Sequence, residues 1–251
     1  IIIVTGPTGS GKSTTLYSAL NELRDPNKNI TTVEDPVEYR LAGINQTQIK
    51  PDIGLSFASC LRSILRQDPD IILIGEIRDR ETMEIAIKAS LTGHLVLSTF
   101  HTNDAPSALS RLVYMGLEPY LLASSLNMIL AQRLVRKICD KCKEPMQVPE
   151  TLLKRMQLSD EQLAGARFFH GRGCTECGNT GYRGRLPIFE FLPMDTAIRE
   201  ALAGGAKETQ IRNMARTKGH GDLFLSGINR VLNGLTTPDE ILRVTYAESV
   251  G

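Results

Sequence analysis

Four short apolar runs divide the first half of the chain, and segments with helical spacing lie between them. Runs that are apolar at most positions are typical of strands buried on both faces of a parallel sheet. Strands that alternate with helices predict an α/β fold in which the helices cover that sheet. The four predicted strands are Ile1–Val4, Ile30–Val33, Ile71–Ile74 and Leu95–Thr99.

Helical spacing of apolar residues recurs between these strands. The segment Phe57–Leu65 places its apolar side chains on one helical face. Cys60 lies on that face, so we predict a buried core thiol and not a reactive one. Further helices are predicted over Arg80–Leu91, which Gly93 closes, and from Ala105 to Gly116.

The pattern changes after Gln132, where strand signals become weaker and the spacing is mainly helical. Thr237–Glu240 is a capping box with proline at the first helical position, which predicts a helix start near the C-terminal end. The change of pattern indicates more than one structural unit. We predict a sheet-containing core over 1–135, a cysteine-bearing module over 136–190 and a helical subdomain over 191–251.

Composition places the chain among ordinary globular proteins, because 41% of its 251 residues are hydrophobic and 23% are charged. The formal net charge of +1 gives no global field that would attract nucleic acid or anionic lipid, and a local basic patch stays an open alternative. No apolar stretch approaches the roughly 20 residues that a membrane-spanning helix needs. The chain starts at Ile1 with its first strand, so we expect that an N-terminal part of the protein is missing.

A glycine-rich loop, Gly6–Ser13, joins the first predicted strand to a helix. A strand, a glycine-rich loop and a helix in this order form a P-loop, which holds the phosphates of a nucleoside triphosphate on backbone N–H groups. Lys12 would reach the β- and γ-phosphates, and the Ser13 hydroxyl would ligate Mg²⁺. The predicted binding residues are Gly6, Pro7, Thr8, Gly9, Ser10, Gly11, Lys12, Ser13 and Thr14.

An acidic residue, Glu76, follows the third predicted strand, at the end that faces the ligand in open α/β sheets. It comes after Gly75, which stands where many P-loop enzymes have a metal-binding aspartate. The sequence therefore predicts that Glu76 serves Mg²⁺, through a water molecule. The alternative interpretation is a solvated glutamate in a loop.

Two further polar segments follow the second and the fourth predicted strands. Glu34–Arg40 is acidic, and a carboxylate there could orient or deprotonate the water that attacks the γ-phosphate. Most charge runs are solvated surface, so this segment alone is weak evidence. His101 follows the fourth strand, where a donor could sense the γ-phosphate, whereas His94 lies farther away and is the weaker candidate.

Together these segments resemble the ATPases that drive type II secretion and type IV pilus assembly, the general secretion pathway protein E type. The resemblance covers nearly the whole chain and is strong over Leu65–Asp79 and Leu91–Ala105. It implies a RecA-like core that acts as a homo-hexamer with nucleotide at the subunit contacts. It also implies that Glu34 is the catalytic carboxylate. Arg40 would be a charge-neutralising arginine, and the other candidates for that role are Arg62, Arg66 and Arg78.

The resemblance further implies an ATP-hydrolysing motor in the cytoplasm, peripheral at the inner membrane and bound to platform and docking proteins of a secretion or pilus system. Type II secretion and type IV pilus assembly stay open alternatives, because the motifs serve both. A nucleic-acid motor on the same RecA-like core is a rival hypothesis, which the near-zero net charge disfavours. A non-enzymatic nucleotide switch is another, which the grouping of Glu34, Glu76 and His101 disfavours.

Two Cys-x-x-Cys pairs lie in the second half of the chain. Two such pairs can complete a tetrahedral Zn²⁺ site, and four thiolates leave no open metal position, so we predict a structural metal. Disulfide bonds are the alternative, which a reducing cytoplasm disfavours. The second pair and the residues after it resemble the tetracysteine module of assembly-type ATPases, which retraction-type ATPases generally lack. The predicted zinc ligands are Cys139, Cys142, Cys174 and Cys177.

Overall fold

The structure is a computed structural model that describes residues 1–156 and 158–246. The chain groups into two compact units by its internal contacts. The first unit comprises Ile1–Ala131 and Phe191–His220, and the second comprises Gln132–Glu190 and Gly221–Gly251. The three-part division at 135 and 190 stays a prediction, and the segment after 190 contributes to both units.

A parallel sheet forms the centre of the first unit, and all four predicted apolar runs are strands in it. The pairings of β1 with β5 and β6, of β2 with β3 and β4, and of β4 with β5 are all parallel. This confirms the predicted α/β class. The strands are β1 (Ile2–Thr5), β2 (Ile30–Glu34), β3 (Asn45–Gln48), β4 (Ile71–Ile74), β5 (Leu95–Phe100) and β6 (Met128–Ile138).

The strand β3 was not predicted from the sequence. It reads Asn-Gln-Thr-Gln, and none of its residues is buried. It pairs with β2 at the edge of the sheet, where backbone hydrogen bonds define the strand without apolar packing. A strand of this kind has no apolar pattern by which it could be recognised.

Helices cover the sheet of the first unit, and the predicted Arg80–Leu91 helix has the predicted bounds. Asp79 caps that helix by accepting the Thr82 N–H at 2.7 Å. The predicted core thiol is confirmed, because Cys60 is buried and its burial raises the thiol pKa. The helices of this unit are α1 (Lys12–Leu23), α2 (Phe57–Ile64), α3 (Arg80–Leu91), α4 (Ala105–Tyr114), α5 (Pro119–Ser125), α8 (Thr196–Ala203) and α9 (Glu208–Thr217).

The second unit combines short helices with strands. Its helices are α6 (Glu150–Met156), α7 (Asp160–Gly165), α10 (Leu223–Leu232) and α11 (Pro238–Tyr246). An antiparallel pair joins β7 (Lys143–Pro145) to β8 (Phe169–Gly171), and a long strand, β9 (Tyr182–Pro193), follows. The order in the seven-stranded sheet is β3-β2-β4-β5-β1-β6-β9. None of the described helices has both the length and the apolar character needed to cross a bilayer.

The expectation that strands become rare after Gln132 is wrong for β6 and β9, which are the two longest strands described. In β9, residues 188, 190 and 192 are buried in alternation, as in a half-buried strand. The middle one is Glu190. A charged residue at a buried position interrupts the apolar and polar alternation by which the strand could be recognised in the sequence. Arginines and a glycine at the start of the strand weaken the signal further.

The last helix starts at Pro238, directly after Thr237, the first residue of the predicted capping box. Thr237 Oγ1 accepts the backbone N–H of Glu240 at 3.2 Å. The Glu240 side chain is fully buried and accepts hydrogen bonds from Arg136 and Arg243 at 2.7–3.0 Å. Burial alone would raise the pKa of Glu240, but the hydrogen bonds from Arg243 and Arg136 outweigh it and lower the pKa to about 2. An ion-pair network thus joins α11 to β6 within the second unit.

Candidate functional site

The glycine-rich loop turns sharply between β1 and α1. Gly9 and Gly11 adopt positive φ angles of 78° and 87°, which residues with a Cβ rarely adopt. Lys12 is the first residue of α1, and the Ser10 N–H donates to the Pro7 carbonyl at 3.2 Å. The first N–H groups of a helix have no partner within the helix, so the start of α1 is suited to bind phosphate.

The Lys12 ammonium lies over this loop. It donates to the carbonyl oxygens of Gly6 at 2.8 Å and Pro7 at 3.1 Å, and the residue is 8% exposed. Burial lowers the pKa of Lys12, and the negative charge of Glu76 opposes that shift. The Lys12 amine thus lies over the loop, and it is close enough to Glu76 for the two charges to interact.

Glu76 and His101 lie at the same edge of the sheet as Lys12. The His101 Nε2 atom is 3.4 Å from a Glu76 carboxylate oxygen, and Arg78 donates a hydrogen bond to the same carboxylate. Burial and then the Lys12 charge lower the pKa of His101, while Glu76 opposes them. The imidazole is therefore neutral near pH 7 and can donate from one ring nitrogen.

Gly75 explains why no aspartate stands before Glu76. A Cβ atom at Gly75 would lie 3.2 Å from the Cα of Glu34 and 3.3 Å from the Val33 carbonyl oxygen. The Gly75 N–H donates to that same oxygen at 2.7 Å. A larger side chain at this position would therefore require the ends of β2 and β4 to move apart by a few tenths of an ångström.

Glu34 is the last residue of β2 and is 4% exposed. Its carboxylate accepts a hydrogen bond from the Tyr17 hydroxyl, one from Thr32 Oγ1 at 2.5 Å and one from Gln46 Nε2 at 3.2 Å. Sequence reasoning missed Tyr17, because it shares a helical face with apolar residues. The available signal was its hydroxyl, since a buried tyrosine usually needs a hydrogen-bond partner.

The arginine candidates lie in different surroundings. Arg40 is exposed after β2 and makes no hydrogen bond or ion pair within 1–156 and 158–246. Arg78 contacts Glu76 and lies 3.7 Å from Asp35. Arg62 pairs with Glu81, and Arg66 is exposed. Of these side chains, Arg78 is thus the one in contact with the Glu76 carboxylate.

The loop that carries His101 is held by two arginines that the sequence did not indicate. Arg111 donates to the His101 carbonyl oxygen at 3.0 Å and lies over the Phe100 ring at 5.3 Å. Arg212 of α9 pairs with Asp104 at 2.9 Å and with Glu208 at 2.8 Å. Its partner Asp104 is 108 residues away in the chain, so no local pattern could predict the pair.

His94, the weaker candidate, lies at the end of α3. Its Nδ1 atom is 2.9 Å from the Ala89 carbonyl oxygen and 3.0 Å from Thr92 Oγ1. These contacts satisfy groups at the helix terminus. The geometry indicates a structural role for His94.

The four cysteines of the second unit form one cluster. Their Sγ atoms all lie within 4.8 Å of one another, and three of the pairs are 3.7–3.9 Å apart. A tetrahedron with Zn–S bonds of about 2.3 Å requires sulfur atoms about 3.8 Å apart, so the donor set fits zinc. All four cysteines are free, as is Cys60, so the disulfide alternative is not supported.

Backbone groups also prepare this cluster for a metal. The N–H groups of Cys174 and Gly181 donate to the Cys177 Sγ atom at 3.2 and 3.3 Å. Burial opposes ionisation of the Cys177 thiol, but these hydrogen bonds, together with those from the Cys174 and Cys142 thiols, outweigh it and lower the pKa. Hydrogen bonds of this kind favour the thiolate, which is the form that binds a metal.

A parallel sheet, a glycine-rich loop that ends in Lys12 and an acid at the same sheet edge define a P-loop nucleotide-binding protein. The family model for type II/IV secretion system proteins matches residues 1–243. The chain belongs to this family.

Similar proteins from two systems match the chain. The type IV pilus assembly ATPase PilB of Thermus thermophilus is 50% identical over 245 residues, which cover 98% of this chain and 28% of PilB. The type II secretion system protein E of Dickeya dadantii is 52% identical over 248 residues, which cover 99% of this chain and 49% of that protein. The chain thus spans less than half the length of either relative.

Solved structures show the same fold. The pilus retraction motor PilT, solved with bound ADP, superposes with a TM-score of 0.72 at 30% identity, covering 97% of this chain and 60% of PilT. The ATPase DotB of Yersinia pseudotuberculosis superposes with a TM-score of 0.68 at 26% identity, covering 98% of this chain and 57% of DotB.

Proposed function

We propose that this chain is the ATP-hydrolysing part of a motor that powers type II secretion or type IV pilus assembly. The observation that carries the proposal is the convergence of Lys12, Glu76 and His101 beside the P-loop, in a chain of this family. The relatives with about 50% identity include proteins of both systems, so the similarity favours neither type II secretion nor type IV pilus assembly.

Each residue of the site has a part in this proposal. The backbone of Gly6–Thr14 binds the ATP phosphates, Lys12 contacts the β- and γ-phosphates, and the Ser13 hydroxyl is a ligand for Mg²⁺. Glu76 would help to hold Mg²⁺ through a water molecule. Mg²⁺, when bound, would neutralise charge that develops on the phosphates.

The remaining residues act on the attacking water and on the γ-phosphate. Glu34 orients or deprotonates the water. His101 senses the γ-phosphate with a ring N–H. Arg40 is exposed and therefore accessible to a neighbouring subunit, where it would neutralise charge on the γ-phosphate; Arg78 already pairs with Glu76 and is the second candidate.

The cysteine cluster serves as a structural zinc site in this proposal. Cys139, Cys142, Cys174 and Cys177 would supply all four ligands, so no position stays open for a substrate. Such a site stabilises the fold around it and takes no part in hydrolysis. The three parts predicted over 1–135, 136–190 and 191–251 would then be a catalytic core, a zinc module and a helical subdomain.

We further propose that the chain works as a homo-hexamer in the cytoplasm, peripheral at the inner membrane. Platform and docking proteins of the secretion or pilus system would be its partners. Nucleic acid would not be, because the formal net charge is only +1.

Replacing Lys12 tests the site. Lys12→Ala removes the main positive side chain near the γ-phosphate, so phosphate release from ATP should fall at least a hundredfold. Lys28→Ala is the matched control, because Lys28 is an exposed lysine outside the loop. Normal hydrolysis by Lys12→Ala would show that the pocket is assigned wrongly. Stimulation of turnover by DNA, but by neither acidic lipid nor platform proteins, would favour a nucleic-acid motor.

A further inference from the structure

Tyr17 connects the phosphate-binding helix to the acidic segment after β2. Its side chain is 1% exposed and lies on α1, the helix that begins at Lys12. The hydroxyl donates to a Glu34 oxygen and accepts the backbone N–H of Glu38 at 3.3 Å. One phenol group thus fixes the distance between α1 and the start of the acidic segment.

The Glu34 carboxylate is held by neutral donors. Thr32 and Gln46 donate to one oxygen at 2.5 and 3.2 Å, and Tyr17 donates to the other. An unpaired buried carboxylate is costly, so these three hydrogen bonds stabilise its negative charge. Thr32 and Gln46 lie on β2 and β3, so Tyr17 is the donor among the three that belongs to the P-loop helix.

We propose that the Tyr17 hydroxyl is a positioning group for Glu34, which aligns its carboxylate relative to the phosphates bound at the start of α1. This inference rests on the proposed function, in which Glu34 orients the attacking water. A phenyl ring would fill the same volume in the core, so the hydroxyl is the part of Tyr17 that packing does not require.

The tyrosine stays protonated under working conditions. Burial, and then the hydrogen bond to Glu34, raise the pKa of Tyr17 far above its ordinary value. The hydroxyl therefore remains a hydrogen-bond donor whenever Glu34 is ionised. The ring packs edge-on against Tyr39, with ring centroids 4.7 Å apart, which limits its rotation.

The test removes only the hydroxyl. In Tyr17→Phe, measured in the full chain, we expect kcat for ATP hydrolysis to fall about tenfold to a hundredfold, because a displaced catalytic group lowers the rate by such factors. KM and the affinity for a fluorescent ATP analogue should change less than about twofold, because the phosphate cradle is intact. Tyr114→Phe is the matched control, because Tyr114 is 88% exposed and lies outside the site, and it should keep the kcat of the unmodified protein.

A second variant, Glu34→Gln, separates the proposed role of Tyr17 from the proposed role of Glu34. If Glu34→Gln lowers kcat strongly while Tyr17→Phe leaves it unchanged or higher, the positioning role is wrong and the role of Glu34 stands. If Glu34→Gln leaves kcat unchanged, the proposed role of Glu34 is wrong. Support requires that the double variant Tyr17→Phe/Glu34→Gln is no slower than Glu34→Gln alone, since the hydroxyl acts through that carboxylate.

Discussion

The edge of the sheet beside the P-loop, in the first unit, and the cysteine cluster, in the second unit, differ in how far their side chains are exposed to solvent. At the P-loop edge, Lys12, Glu76 and His101 follow three different strands, and the His101 side chain is 47% exposed. In the cluster, three of the four cysteines are buried, and their sulfur atoms face one another. The first arrangement can receive a ligand from solvent, whereas the second is closed and suits a resident ion. Changes in the two regions should therefore affect different measurements.

The largest effect is expected from the cluster. Cys142→Ser removes one ligand, so zinc should be lost and the second unit should unfold at lower temperature, because structural zinc contributes on the order of 10 kcal/mol to folding. Metal analysis after purification without chelators, together with a melting curve, measures both. Cys60→Ala is the control, which should keep the metal. Unmodified protein without zinc under these conditions would contradict the assignment.

A smaller effect is expected at Gly75, and it should concern ATP turnover and not stability. In Gly75→Ala the new Cβ would lie 3.2 Å from the Glu34 Cα, so the ends of β2 and β4 must move apart by a few tenths of an ångström. ATP turnover should fall about tenfold while the melting temperature changes little. Gly165→Ala is the control, because its Cβ would meet nothing within 4 Å. Unchanged turnover would mean that this close approach does not align the acids.

A third effect concerns stability in acid. Glu240 has a pKa of about 2 in the folded chain, against an ordinary value of 4.5. A lowered pKa means that the stabilisation is complete above about pH 4.5 and is lost as the pH falls through about 2. Glu240→Gln should thus cost about 2 kcal/mol at pH 7 and progressively less in acid. Urea unfolding across this range measures the difference, and a cost independent of pH would contradict the ion-pair explanation.

The sequence was informative wherever a signal is local. The P-loop, the cysteine pairs and the four apolar strands each occupy a few consecutive residues, so their residue types alone indicate the structure. The polar strand β3 and the contacts of Tyr17, Arg111 and Arg212 were not predicted. These depend on partners distant in the chain, and an edge strand or a hydroxyl on an apolar helix face carries no periodic signal.

The anchoring of the His101 loop by Arg212 bears on where the protein can be shortened. A version that stops near residue 135 would keep the glycine-rich loop, β4 and β5, but it would lose α9 and with it the ion pair to Asp104. The histidine would then stand on a loop with one of its two arginine anchors gone. Fragments intended for the study of nucleotide chemistry should therefore retain residues up to at least His220, even though the phosphate-binding motif ends more than two hundred residues earlier.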